Sequence, residues 1–107
     1  SGEDGTAIPF LAQGGSGCIS VTANITPKLC SDLHNNWRSK KFDKAFEINL
    51  QLAKIHHALF LETSPGPVKY AAELLNLCSS ETRSPLVSIK DSTKIAVKEC
   101  LKEVGII

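Results

Sequence analysis

The sequence predicts a mostly α-helical fold with one short β-strand. Apolar residues recur at helical spacing in four or five segments, and a single run of β-branched residues stands alone among them. The first three elements follow the order helix, strand, helix. At 107 residues the chain makes at most one small domain.

The amino-terminal part contains the predicted strand. A short helix is expected over residues 6–13, with Thr6 or Asp4 as its cap, and two glycines end it. Residues 18–22 are rich in β-branched side chains and are bounded by Gly17 and Asn24, which indicates a strand. A second helix is expected from Pro27 to about residue 39, with Thr26 before it as the N-cap.

The rest of the chain is predicted to be helical. A long helix over residues 42–61 carries two adjacent apolar stripes, and so wide an apolar face predicts burial from more than one side. The stripes consist of Ala45, Ile48, Leu52, Ile55 and Leu59, and of Phe42, Phe46, Leu50 and Ala53. A further helix is expected over residues 68–77, followed by a loop over residues 79–91. The last helix is expected over residues 95–104, with Asp91 or Ser92 at its start and Gly105 just past its end.

A lone strand is not a stable structure, because its backbone N–H and C=O groups need partners. The order helix, strand, helix is that of one unit from a wound parallel sheet whose neighbouring strands are absent. We therefore expect this chain to be the end of a longer protein.

Composition and charge exclude several classes of protein. The chain is 42% hydrophobic and 21% charged, as globular proteins are, and its net charge of +1 lacks the basic excess of a nucleic-acid-binding surface. No apolar run approaches the roughly 18 residues of a membrane span, and the polar residues 1–4 do not resemble a signal peptide. We predict a cytoplasmic protein with no nucleic-acid or membrane partner. The four widely spaced cysteines predict buried free thiols.

No residue pattern predicts a catalytic centre within this chain. The adjacent His56 and His57 point about 100° apart on a helix and are poorly spaced for one metal ion, so no metal site or other cofactor is predicted. Ser20 lacks the surroundings of a nucleophile, and Lys69 is expected to form a structural salt bridge. The glycines at positions 14, 15 and 17 precede the strand, whereas phosphate-binding loops follow one, so a tight turn is favoured.

The segment after the strand, residues 22–24, is the most promising location for a site. Barrels and open parallel sheets place their ligands beyond the carboxyl ends of their strands. The residues themselves leave two alternatives open, a substrate-lining loop and a plain capped turn.

Five segments taken together resemble the carboxy-terminal portion of the dihydrodipicolinate synthase family. They are residues 1–4 (SGED), 17–24 (GCISVTAN), 58–60 (ALF), 65–71 (PGPVKYA) and 83–86 (RSPL). Four positions depart from the family's pattern, which tends to have Asn, Ile, Trp and Leu where this chain has Ser64, Gly66, Tyr70 and Ser84. These departures affect local packing.

The resemblance implies the end of a TIM (β/α)₈ barrel over residues 1–40 and an appended helical region over residues 41–107. A complete barrel needs roughly 250 residues, so none is expected here. The implied activity is that of a pyruvate-dependent Schiff-base lyase, which condenses pyruvate with aspartate semialdehyde in lysine (diaminopimelate) biosynthesis. The resemblance also implies that the complete enzyme is a homo-oligomer.

Only pocket-lining residues of that family fall on this chain. The resemblance implies that Gly2 and Ile19 line the pyruvate pocket, largely through backbone groups. It also implies that the Schiff-base lysine, a proton-relay tyrosine and threonine and a carboxylate-binding arginine lie in a missing amino-terminal barrel portion. The 107 residues alone are therefore expected to be inactive. Two alternatives stay open: a non-catalytic helical assembly piece that binds itself or a complementary barrel half, and an enzyme like N-acetylneuraminate lyase.

Overall fold

A computed structural model describes residues 1–107, which form five α-helices joined by turns. The helices are α1 (Ala7–Ala12), α2 (Pro27–Arg38), α3 (Phe42–Ala58), α4 (Gly66–Leu74) and α5 (Asp91–Glu103). Two short 3₁₀ turns, Asp4–Thr6 and Thr22–Asn24, precede α1 and α2. None of the helices combines the length and the apolar character that crossing a membrane would require.

The predicted strand is not formed, which corrects the expectation of one short β-strand over residues 18–22. Only Ser1 lies beside this segment, since its backbone nitrogen donates to Gly17 O at 2.7 Å and its carbonyl accepts from Ile19 N at 2.8 Å. These two bonds flank Cys18 in the pattern of a parallel ladder, but they pair one residue only. Val21 already has a helical backbone, with φ −71° and ψ −45°, and residues 18–20 lack the neighbouring chain that would make them a strand.

Helix α1 is confirmed, but its predicted caps are not. The Thr6 side chain donates to Glu3 O instead of accepting from the helix, and the Glu3 side chain accepts from Gly5 N in the preceding turn. Gly14 follows the helix with φ 96°, a conformation that glycine adopts at no steric cost.

Gly15 permits a close approach of the backbone after α1. A Cβ at this position would lie 2.7 Å from the Phe10 carbonyl oxygen, which the helix holds in place. Gly15→Ala is expected to lower the free energy of unfolding by about 1–3 kcal/mol, the usual cost of overpacking. Urea denaturation checks this against Gly17→Ala, whose Cβ would meet nothing within 4 Å. Equal stability of the two variants would contradict the packing argument.

Helices α2 and α3 pack against each other and begin where the sequence predicts. One stripe of α3 is buried as expected, with Leu52, Ile55 and Leu59 at 1% exposure each. The second stripe is not: Phe42, Phe46 and Leu50 are 41%, 47% and 74% exposed, which corrects the prediction of burial from both sides. The Trp37 ring packs against Phe42, with the two ring centroids 4.8 Å apart, and Phe46 and Leu50 remain open to solvent.

The hydrophobic core lies between α3 and α5, with α2 and α4 closing it. Val97 and Leu101 of α5 are 1% and 0% exposed. Helix α5 begins at Asp91, as predicted, and Gly105 follows it in a left-handed conformation with φ 77°. Helix α4 begins at Gly66, two residues earlier than the predicted start, because Pro67 fits the first turn of a helix.

The four cysteines are free, as predicted, but their burial is not as predicted. Cys18, Cys30 and Cys100 are partly buried and Cys78 is exposed. Burial raises the pKa of the Cys18, Cys30 and Cys100 thiols, which therefore stay protonated and weakly nucleophilic at neutral pH.

Glu62 caps α5 from outside the helix. Its Oε2 accepts from Lys90 N at 2.9 Å, and hydrogen bonding by Thr93 and then by this backbone N–H lowers the pKa of the Glu62 carboxyl. A carboxyl whose pKa is lower in the folded state stabilises that state above its unfolded pKa, and this contribution is lost as the pH falls through the folded value.

Glu62→Gln is therefore expected to be less stable than the original chain at pH 7, and the difference should shrink as the pH falls below about 4.3, the ordinary glutamate value. Unfolding curves of both proteins between neutral and acid pH measure this. Glu47→Gln, at an exposed position of α3, is the control. A difference that stays constant across the pH range would refute the cap.

Candidate functional site

Two short chain segments lie next to each other at the amino-terminal end of the molecule. Residues 1–4 and 17–22 are joined by the two backbone hydrogen bonds of Ser1. Each segment continues into a 3₁₀ turn, Asp4–Thr6 in one case and Thr22–Asn24 in the other. The two predicted pocket residues, Gly2 and Ile19, lie one on each segment.

Gly2 and Ile19 are brought together at the surface. The hydrogen bond from Ile19 N to Ser1 O places Ile19 next to the peptide group that links Ser1 to Gly2. Gly2 is exposed, with no atom within 4 Å of a Cβ position, and the Ile19 side chain is 88% exposed. Neither the Gly2 backbone nor the Ile19 carbonyl makes a hydrogen bond within the chain. The Gly2 backbone, the Ile19 carbonyl and the Ile19 side chain are therefore free to contact another group.

Asp4 fastens the two segments to each other. Its carboxyl group is 7% exposed and accepts from Val21 N at 3.0 Å, from Thr22 N at 3.3 Å and from the Ser20 hydroxyl. The Cys18 thiol lies 3.9 Å from the same carboxyl. A buried acidic side chain is stable only with such partners, so Asp4 and the turn that follows Ile19 are held as a unit.

The turn at residues 22–24 is capped by its own side chains. Ser20 Oγ accepts from Ala23 N at 2.9 Å, and Asn24 Nδ2 donates to Val21 O at 3.0 Å. The capped-turn alternative therefore describes these residues correctly. Thr22 is fully buried within the turn, and Asn24 is exposed.

Thr22 connects the turn to helix α3. Its Oγ1 lies 2.7 Å from Nδ1 of His56, and both side chains are buried. Burial lowers the pKa of His56, so its ring is neutral at neutral pH and Nδ1 can accept a hydrogen bond from the Thr22 hydroxyl. The neighbouring His57 is exposed. Sequence reasoning treated both histidines alike, and only the burial of one face of α3 distinguishes them.

The enclosed space beside this cluster is small. A cavity of about 20 Å³, bordered by Asp4, Ser20, His34, Leu52 and His56, has room for roughly one water molecule. A three-carbon acid does not fit there. The exposed Gly2 and Ile19 therefore form part of a surface, and this chain alone does not close a substrate pocket around them.

None of the ten lysines is buried. Lys69 and Lys94 are half-buried and the others are exposed, so none has the desolvated, apolar surroundings that an imine-forming lysine needs. Lys69 donates to the backbone carbonyl of Glu81, so the predicted salt bridge is wrong. The residue lies in the first half of α4, and the loop after that helix supplies its partner.

Comparison with known proteins assigns the family. The profile of the Dihydrodipicolinate synthetase family matches residues 1–104. The 4-hydroxy-tetrahydrodipicolinate synthases of Gluconacetobacter diazotrophicus and Rhodospirillum centenum are each 48% identical over all 107 residues, which correspond to 36% and 37% of those proteins. The chain thus spans little more than a third of the length of the curated relatives it matches.

Solved structures agree with this family assignment. The dihydrodipicolinate synthase of Thermotoga maritima superposes on the whole chain with a TM-score of 0.97 at 36% identity, and the chain covers 36% of it. The synthase of Cyanidioschyzon merolae, solved with lysine bound, gives a TM-score of 0.95 at 27% identity. These neighbours are TIM-barrel enzymes. With a profile match over nearly its full length and this likeness in both sequence and structure, the chain belongs to the dihydrodipicolinate synthetase family.

Proposed function

We propose that this chain supplies one wall of the pyruvate pocket in a Schiff-base lyase that condenses pyruvate with aspartate semialdehyde in lysine biosynthesis. The observation that carries the proposal is the juxtaposition of Gly2 and Ile19, whose unpaired backbone groups and exposed side chain meet at one surface. Family membership supplies the chemistry. The free Gly2 N–H is suited to donate to a carboxylate, and the Ile19 side chain to pack against a methyl group.

The chain's own residues bind and orient, and the covalent step belongs to the rest of the enzyme. An imine-forming lysine must be desolvated, and no lysine here is buried. We therefore assign the Schiff-base lysine, the proton-relay groups and the carboxylate-binding arginine to the amino-terminal two-thirds that the relatives carry. On this proposal the 107 residues alone are inactive.

Residues 1–40 form the end of the barrel in this proposal, and residues 41–107 form its appended helical region. The extended segment supports the arrangement, because the backbone groups of Cys18 and Ser20 that a ladder would use have no partner within the chain. We propose that the amino-terminal barrel portion pairs with them and makes residues 18–20 part of the last barrel strand.

We further propose that the complete enzyme is a cytoplasmic homo-oligomer. Four free cysteines suit a reducing compartment. The exposed apolar side chains of Phe46 and Leu50 on α3 offer a surface for a second subunit.

The test is a chimera in which residues 1–107 replace the matched 36% of the Gluconacetobacter diazotrophicus synthase. We expect the chimera to consume pyruvate and aspartate semialdehyde, and the 107-residue chain alone to show no turnover. An inactive but folded chimera would refute the proposal. Activity on N-acetylneuraminate in place of aspartate semialdehyde would instead support the sialic-acid lyase alternative.

A second candidate is a non-catalytic helical assembly piece, which binds itself or a complementary barrel half. The exposed apolar face of α3 favours it. Sedimentation of the purified chain and activity of the chimera together distinguish the two: self-association that persists on dilution with an inactive chimera supports the assembly piece, whereas a folded monomer or an active chimera argues against it.

A further inference from the structure

We propose that His56 of α3 is a positioning residue, which through Thr22 fixes the turn that carries Ile19 into the pyruvate wall. This inference rests on the proposed function and deepens it, because it assigns a role at the pocket to the appended helical region. The juxtaposition that carries it is the 2.7 Å contact between His56 Nδ1 and Thr22 Oγ1.

The segment that carries Ile19 has few other restraints. Only two backbone hydrogen bonds, both to Ser1, hold residues 17–19, and the far end of the segment is held by side chains together with the backbone hydrogen bonds of the 3₁₀ turn. Asp4 binds the backbone of that end, at Val21 N and Thr22 N. Ile25 N and Thr26 N donate to Thr22 O at 3.0 Å within the local turn, and His56 is the one residue of the helical region 41–107 that forms a hydrogen bond to this segment.

The hydrogen bond between Thr22 and His56 is suited to fixing the orientation of the Thr22 side chain. Thr22 is 0% exposed, so its hydroxyl cannot form a hydrogen bond to bulk solvent, and His56 Nδ1 is its one side-chain partner. His56 is itself held by α3, whose neighbouring Leu52, Ile55 and Leu59 are buried in the core. Helix α3 thus fixes the position of the Thr22 hydroxyl. The hydroxyl in turn fixes the position of the turn, which begins three residues beyond Ile19.

The chain offers variants that separate this hydrogen bond from simple packing. His56→Asn keeps a side-chain oxygen near the position of Nδ1 and can still accept from Thr22, whereas His56→Leu cannot. Thr22→Val removes the hydroxyl with little change of shape. In the double variant Thr22→Val/His56→Leu both polar groups are gone, so the stability lost through an orphaned polar group is recovered.

The first measurement is amide hydrogen exchange in the 107-residue chain itself. We expect exchange at Ile19 N to accelerate roughly tenfold in His56→Leu and in the double variant, with His56→Asn close to the original and the amides of α5 unchanged. Uniform acceleration at Ile19 and in α5, or none at Ile19, would overturn the proposal. This readout does not depend on the proposed activity.

The second measurement is steady-state kinetics in the chimera. His56→Leu is expected to raise KM for pyruvate roughly five- to tenfold with little change in kcat, and the double variant to keep the raised KM although its stability recovers. If His56 contributed only to stability, the KM of the double variant would return to the original value together with its stability. An inactive original chimera refutes the proposed function. An active chimera whose KM for pyruvate is unchanged by His56→Leu refutes only the positioning role.

Discussion

Asp4→Ala is expected to lower the free energy of unfolding by about 3–5 kcal/mol, since it leaves several buried donors without an acceptor. The carboxyl group accepts from Val21 N, Thr22 N and the Ser20 hydroxyl within a site that is 7% exposed. The substitution also releases residues 1–4 from the segment that carries Ile19. We therefore expect loss of both stability and pyruvate binding.

Urea denaturation of the 107-residue chain measures the stability, and KM for pyruvate in the chimera measures the binding. Asp4→Asn keeps the shape and one acceptor oxygen and should fall between the original and Asp4→Ala. Glu99→Ala on the exposed side of α5 is the control and should change stability by less than about 0.5 kcal/mol. An Asp4→Ala variant as stable as this control would contradict the assigned role.

Leu52→Ala is expected to lower the free energy of unfolding by about 3–5 kcal/mol. Leu52 is 1% exposed, lies in the core with α5, and borders the cavity of about 20 Å³ beside His56 and Asp4. Truncation would enlarge a space that already exists, and the surrounding helices have little freedom to collapse into it. The cost should therefore lie toward the upper end of the range.

The matched control for Leu52→Ala lies two residues earlier on the same helix. Leu50 is 74% exposed, so Leu50→Ala removes the same atoms from the same helix without opening a cavity. We expect a change below about 0.5 kcal/mol in urea denaturation of the isolated chain. Similar losses for the two leucines would mean that the second stripe of α3 is buried in solution, as the apolar pattern alone predicts.

The helices could be predicted from the sequence because their signals are local. The starts of α2 and α3, and Gly105 beyond the end of α5, follow from residues within one or two turns. The strand could not be predicted in the same way. Residues 18–22 have the composition of a strand, but a strand exists only with a paired neighbour, and here Ser1 alone lies beside it.

The candidate site was predictable only in part, for the same physical reason. Gly2 and Ile19 were identified through the family resemblance, and the structure places them together. His56 was missed because its partner Thr22 lies 34 residues away, and no local spacing links a helical histidine to a distant threonine. Asp4 was expected at most to cap a helix, whereas its carboxyl group in fact reaches residues 20–22.

Borohydride reduction in the presence of pyruvate, followed by peptide mapping, tests the central claim most directly. The chimera should carry one reduced pyruvate adduct, on a lysine of the segment contributed by the Gluconacetobacter diazotrophicus protein, and the 107-residue chain alone should remain unlabelled. An adduct on any of the ten lysines of this chain would show that residues 1–107 contribute more than a pocket wall, and would contradict the account.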